Sequence, residues 1–177
     1  GIKARFGKTA DVQYARGYVG DVGGEYNGVK TGQDLKDNRS EVELIKEAVE
    51  LAKNSDFVIF IGGLNKADFQ DSEGNDRKSM DLPYNQDKVI SALAKANPKL
   101  AVVLVTGNAV TMPWVKEVPS IVQAWYLGSE AGNSIASILA GDANPSGKLP
   151  FTFPVKLSDN SAHTLGEYPG NKEELAA

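Results

Sequence analysis

The residues best suited to chemistry lie in one polar stretch, from Gly62 to Tyr84, which carries Lys66, Asp68, Asp71, Glu73, Asp76, Arg77, Lys78 and Asp81. Its centre, Asp71-Ser72-Glu73-Gly74-Asn75-Asp76-Arg77, is dense in oxygen ligands. A calcium loop of the EF-hand kind needs acidic residues at alternate positions, glycine sixth and glutamate twelfth. Counted from Asp71, the glycine here comes fourth, so that register fails. A carboxylate beside a glycine and a charge pair suits a general acid on a movable loop instead. Glycine lets the backbone approach a substrate, and Asp76 with Arg77 can brace the turn. A solvated charged loop is the alternative reading of the same residues.

Other motifs fail on their spacing. The segment 141–149 imitates a phosphate-binding P-loop, but it has one residue too many between its glycines. Leu149 also stands where a hydroxyl must hold magnesium. Gly128-Ser129-Glu130-Ala131-Gly132 is no nucleophile elbow, because Ser129 is not its central residue. Tight packing of a strand onto a helix start accounts for it better. A phospho-receiver site would need an acidic residue where Gly62 or Gly63 stands. With no cysteine and a single histidine, His163, the chain has no thiolate nucleophile and no Cys/His zinc set. No metal or cofactor is expected. A net charge of −4, from 19 basic and 23 acidic residues, provides no basic patch for nucleic acid. No apolar run reaches the roughly 18 residues of a membrane helix, so no membrane insertion is expected. The first five residues do not read as a signal peptide.

The elements that must position that loop follow from periodicity. At 177 residues, 41% hydrophobic and 24% charged, the chain suits one globular domain. Residues 9–19 alternate as a strand. Ser40-Glu41-Val42-Glu43 is a capping box. Val42, Ile45, Val49 and Ala52 recur behind it at helical spacing, with Ala48 beside them, which predicts a helix over 41–53. The apolar runs 57–61, 101–105 and 120–126 read as strands buried on both faces. Helices are expected from Asn85 to Asn97-Pro98 and over 131–140, a short helical turn within 110–116, and an edge strand over 149–154. Strand and helix alternate, which implies an α/β fold, a parallel sheet with helices on both faces. Functional loops in such sheets lie beyond the carboxyl ends of the strands, here 62–84, 106–113 and 127–133. The first is about 22 residues long, against the usual 2–6. Trp125 and Tyr126 are expected in the core or at a domain interface, and Trp114 in packing.

Six segments, taken in order, resemble a known family. They are 57–65, Ser72-Glu73-Gly74-Asn75-Asp76-Arg77, Leu82-Pro83-Tyr84-Asn85-Gln86, 106–114, 123–128 and Asn144-Pro145-Ser146-Gly147-Lys148-Leu149-Pro150. Together they look like the C-terminal α/β domain of glycoside hydrolase family 3, with the strong match over roughly 40–155. The resemblance implies a three-layer, flavodoxin-like fold and membership of retaining β-glycosidases, β-glucosidases first among them. It implies an active site between this domain and a barrel of the same parent chain that carries an aspartate nucleophile. Glu73 matches the family's general acid/base, with Gly74, Asp76 and Arg77 as loop support. A β-linked oligosaccharide or glycoside is the implied substrate, and a periplasmic or secreted parent the implied location.

The resemblance also implies a piece of a longer chain. Residues 1–155 correspond to an incomplete domain and 156–177 to a polar extension or the start of a next segment. Gly1-Ile2-Lys3 matches the helix that follows the family's first strand. That strand would lie between the 9–19 and 57–61 strands, and its loss leaves two raw edges. Alone, such a domain has one carboxylate of the two that hydrolysis needs and is expected to be inactive. The alternative is a non-catalytic α/β carbohydrate- or partner-binding module.

Overall fold

The computed structural model describes residues 1–20 and 36–165, with the backbone alone of two short antiparallel strands, β1 (Glu25–Tyr26) and β2 (Val29–Lys30). Preceding them is α1 (Ile2–Phe6); following them are α2 (Glu41–Lys53), β3 (Val58–Gly63), α3 (Gln86–Ala96), β4 (Leu100–Val105), β5 (Ser120–Gln123), α4 (Ala131–Leu139) and α5 (Ser161–Thr164). The main sheet runs β3-β4-β5, parallel throughout, with Phe60 opposite Val102 and Val102 opposite Ile121. Helices α2 and α3 cover one face over a core of Ala48, Phe60, Ile90, Leu100 and Val102. On the other face α1 packs against α4, over Val103, Ala124 and Ile135. The fold is therefore α/β and three-layered, as expected. Among the described residues no helix is long and apolar enough to cross a membrane.

Local chemistry explains the helix limits. The Ser40 hydroxyl accepts from the Glu43 amide while the Glu43 carboxylate accepts from the Ser40 amide at 2.7 Å, closing the capping box at the start of α2. The buried face of α2 is Leu44, Ala48 and Ala52, four residues apart, whereas Val42 is 74% exposed. The first turn of α2 carries Val42 away from the core, so the expected Val42 register is corrected here. Asn97 ends α3 and is itself buried. Its amide donates to the Ala52 and Ser55 carbonyls, at 2.9 and 2.7 Å, and so ties the end of α3 to the end of α2.

Several sequence expectations need correction. Residues 9–19 form no strand. Gly17 has φ +73°, which breaks an extended run, and Ala15 and Tyr18 pack on the core through side chains. A groove of about 520 Å³, walled by Tyr18, Leu51, Ile59, Ile61 and Val89, separates that segment from β3. Of the three strands of the main sheet, β4 alone is covered on both faces among the described residues, buried along its length through Leu104. β3 buries Phe60 but exposes Ile61, and β5 is half-buried, because each is an edge strand among the described residues. β5 also stops at Gln123. The short turn expected within 110–116 is present, with the Val115 amide donating to the Met112 carbonyl and the Glu117 amide to that of Trp114, whereas 149–154 form no ladder. Pro150 and Pro154 lack the N–H a ladder needs, and Pro154 instead lends its carbonyl to the Met112 amide.

The Asn97 tie carries a stability prediction. Asn97→Ala removes two buried donors and the acceptor of the Lys99 amide. It should cost about 2–4 kcal/mol in denaturant unfolding, since net hydrogen bonds and newly unpaired buried groups add. Val42→Ala, at an exposed position, should change stability by less than about 0.5 kcal/mol.

Candidate active site

The long connection 64–85 starts where β3 ends, and Gln86 fixes that point. Fully buried, Gln86 accepts from the Gly63 amide at 2.7 Å and donates to the Gly63 carbonyl at 2.8 Å, an imitation of a strand partner. The chain then closes a small knot. The Asn65 side chain accepts from the Ala67 amide at 2.7 Å, the Asn65 carbonyl accepts from the Asp71 amide at 3.0 Å, and Gln70 donates to the Tyr84 hydroxyl.

Beyond the knot comes Asp71, 7% exposed. One carboxylate oxygen accepts from the Gly107 amide at 2.7 Å and the Tyr126 hydroxyl at 2.6 Å. The other accepts from the Asn108 side-chain amide at 2.8 Å. Gly107 is required by closeness: a Cβ there would sit 2.9 Å from the Tyr126 ring and 3.2 Å from the Asp71 carboxylate. Trp125 takes φ +56°, costly for a bulky residue at roughly 1–3 kcal/mol. That bend leads into Tyr126, while the Trp125 ring packs edge-on against Phe151 and Phe153.

On the far side of the tip, Arg77 donates to the Ala109 carbonyl at 2.6 Å. Burial pulls the Arg77 guanidinium below its ordinary value, with Asp71, Tyr126 and Asp81 opposing that shift. Its Nη1 is buried without a partner among the described residues. Further on, Thr111 donates to the Asp81 carboxylate at 2.6 Å and its amide to the Met80 carbonyl at 2.8 Å. The whole connection is thus sewn onto 106–111, just past the carboxyl end of β4.

Between Asp71 and Arg77 the tip stands in solvent. Glu73, Gly74, Asn75 and Asp76 are exposed. Glu73 and Asp76 make no hydrogen bond or ion pair with other described residues, and Asp76 does not pair with Arg77. Gly74 has no atom within 4 Å of a would-be Cβ. Asn75 links to Asp68 at 3.1 Å, and Ser72 to the Asn75 carbonyl at 3.3 Å. The arrangement is a free carboxylate on a short arch with fixed feet, open to whatever docks above it. Among the described residues no cluster of His, Cys, Asp or Glu is arranged to hold a metal.

Sequence reasoning singled out the arch and Arg77 but missed Asp71 as its near foot. Asp71 read as one more loop charge, and the signal for its burial was spread over Gly107, Asn108 and Tyr126, far away in sequence. Tyr126 is 38% exposed and belongs to this network, not to the core. Trp114 is buried, with its indole N–H donating to Asp87 at 2.7 Å, so its role is packing. Burial raises the Asp87 carboxyl above its ordinary value, which the Trp114 hydrogen bond partly opposes.

Comparison with known proteins adds to this geometry. Residues 2–175 match the model of the glycosyl hydrolase family 3 C-terminal domain. The chain is 53% identical, over 97% of its length, to the β-glucosidase BoGH3A of Bacteroides ovatus, and covers 22% of that protein. Among solved structures, it resembles a family-3 β-glucosidase of Bifidobacterium adolescentis at TM-score 0.71 and 30% identity, covering 97% of this chain and 23% of that one. It also resembles a Kluyveromyces marxianus β-glucosidase in complex with glucose at TM-score 0.66 and 41% identity, covering 72% and 15%. The chain therefore spans about a fifth of the length of the relatives it matches.

The Asp71 network sets an alkaline titration. Burial, the hydrogen bond to Asp71 and the Asp71 charge push the Tyr126 phenol well above the ordinary tyrosine range. Burial pushes Tyr18 up to about 12. A raised folded-state value means stability that is fully present below the unfolded value and lost as pH rises through the folded one. In rapid-mixing titration of phenolate absorbance, Tyr18 and Tyr126 should both ionise late, and Tyr126→Phe should reduce the late amplitude by one phenol. A single step for all six tyrosines near the ordinary value would contradict the network.

Proposed function

Since the chain belongs to glycosyl hydrolase family 3, as its C-terminal domain, we propose that it is the acid/base-bearing part of a retaining β-glycosidase acting on β-glucosides. The observation that carries this reading is Glu73, an unpaired carboxylate on an arch with both feet fixed beyond the end of β4. Retaining hydrolysis needs two carboxyl groups about 5–5.5 Å apart across the glycosidic bond. One attacks the anomeric carbon. The other gives a proton to the leaving oxygen, then takes one from the incoming water.

Glu73 fills the second role and a barrel of the parent chain supplies the first. A general acid must hold its proton near neutral pH, which burial and a neighbouring negative charge promote. Glu73 is exposed in this chain, so that environment is contributed by the bound sugar and the partner domain. Gly74 leaves its side of the arch bare, which suits close approach of substrate or barrel. Arg77 and its Ala109 contact hold the far foot, and Asp76 faces outward beside Glu73. The isolated chain is then half a site and inactive, and its parent is placed in the periplasm or outside the cell.

In a full-length parent, Glu73→Gln should lower kcat/KM for substrates with poor leaving groups by about 10²-fold or more, the usual share of general acid catalysis. Aryl glucosides with good leaving groups need little protonation and should lose far less. Equal activity of variant and wild type on both classes would sink the assignment. Gly74→Ala should leave the stability of the isolated chain unchanged but lower activity in the parent. Calorimetry of the isolated chain against gluco-oligosaccharides should show no binding; millimolar or tighter binding would favour a carbohydrate-binding module instead.

A further inference from the structure

We propose that Asp71 is a positioning residue for Glu73, working as a buried latch that fixes the near foot of the arch to the ends of β4 and β5. The proposal rests on the acid/base reading of Glu73 and extends it to a residue that never touches the sugar. Three donors from two separate segments converge on the Asp71 carboxylate: the Gly107 amide, the Asn108 side chain and the Tyr126 hydroxyl. All three hold a buried carboxylate, and the chain reaches the exposed Glu73 two residues later. Two residues span at most about 7 Å. The reach of Glu73 is therefore set by where Asp71 is held, and much less by the rest of the connection.

The far foot makes the same demand. Arg77 grips the Ala109 carbonyl, two residues from Gly107, so both feet stand on one short turn. Among the described residues the tip has only the Ser72–Asn75 and Asn75–Asp68 contacts of its own. Releasing the Asp71 carboxylate would leave 72–76 strung between the Asn65 knot and Arg77, with no side-chain anchor at the near foot, and let Glu73 swing. A displacement of about 1 Å at a catalytic group can cost about 10²-fold in rate. The Trp125 bend and the glycine at 107 fit this role, since both serve the approach of Tyr126 and Gly107 to Asp71.

The test is a double-mutant cycle in the full-length parent, with an alkyl β-glucoside and a dinitrophenyl β-glucoside as substrates. Asp71→Asn keeps the shape but replaces one acceptor oxygen with an NH2 donor that faces donors. It should lower kcat/KM on the alkyl glucoside by about tenfold or more and on the dinitrophenyl glucoside by about threefold or less. On the Glu73→Gln background the alkyl-glucoside effect should vanish, because a residue that acts through another adds nothing once that one is gone. Tyr126→Phe, which removes one of the three donors and keeps the ring, should show the same selectivity in weaker form. Faster amide exchange over 72–76 in Asp71→Asn should accompany the loss. Equal losses on both substrates, or a loss that persists undiminished with Glu73→Gln, would mean that Asp71 only stabilises the fold and would overturn the proposal. If Glu73→Gln alone shows no leaving-group dependence, the acid/base reading itself falls and takes this proposal with it. If Glu73→Gln shows it and neither Asp71→Asn nor Tyr126→Phe does, this proposal alone falls.

Discussion

A carboxylate withdrawn from water must find donors, and the placing of Asp71 turns on that requirement. Its three donors come from the turn after β4 and from the chain just past β5. Those segments are adjacent only because β4 and β5 run parallel and end at the same level, with Leu104 opposite Gln123. The parallel sheet thus does more than support the loop from beneath: it assembles the cradle from two strand ends far apart in sequence. Gln123 strengthens the join, donating from one amide to both the Thr106 carbonyl and hydroxyl at 3.0 and 2.9 Å. An antiparallel β5 would send the chain away from β4's carboxyl end and deny Asp71 its tyrosine.

Sequence pattern captured what local forces decide. The capping box at Ser40 and Glu43 and the span of α2 were legible because they depend on neighbours within one turn. β4 was legible because a strand covered on both faces can be apolar at every position. The same pattern misled at 57–61, where an apolar run lies on an edge strand among the described residues, and at 9–19, where alternation is real but no described strand lies alongside to bond. Alternation reports which side chains face a core and says nothing about whether a backbone partner exists. The site divided the same way. The loop's length and its Glu-Gly-Asn-Asp-Arg run could be read directly. The burial of Asp71 could not, because its cause is a glycine, an asparagine and a tyrosine 36 to 55 residues downstream.

On the acid/base reading proposed for Glu73, the arch answers two demands that oppose each other. A group that meets substrate on another domain must stand clear of its own fold, and a group that meets it within tenths of an ångström must not wander. One loop cannot be both exposed and rigid along its length. Here the demands are separated by position: polar contacts crowd the feet, at Asp71 and Arg77, and leave the tip nearly bare. The long connection is what makes that separation possible. A usual strand-to-helix link of a few residues would keep Glu73 against the sheet. The chain instead invests 64–71 in the Asn65 knot and 78–85 in the Thr111 contacts, which brings both feet back over one turn. Length in this loop therefore works as reach under constraint. Its cost is borne away from the tip, in the strained Trp125 backbone next to Tyr126 and in the Arg77 nitrogen that has no partner among the described residues.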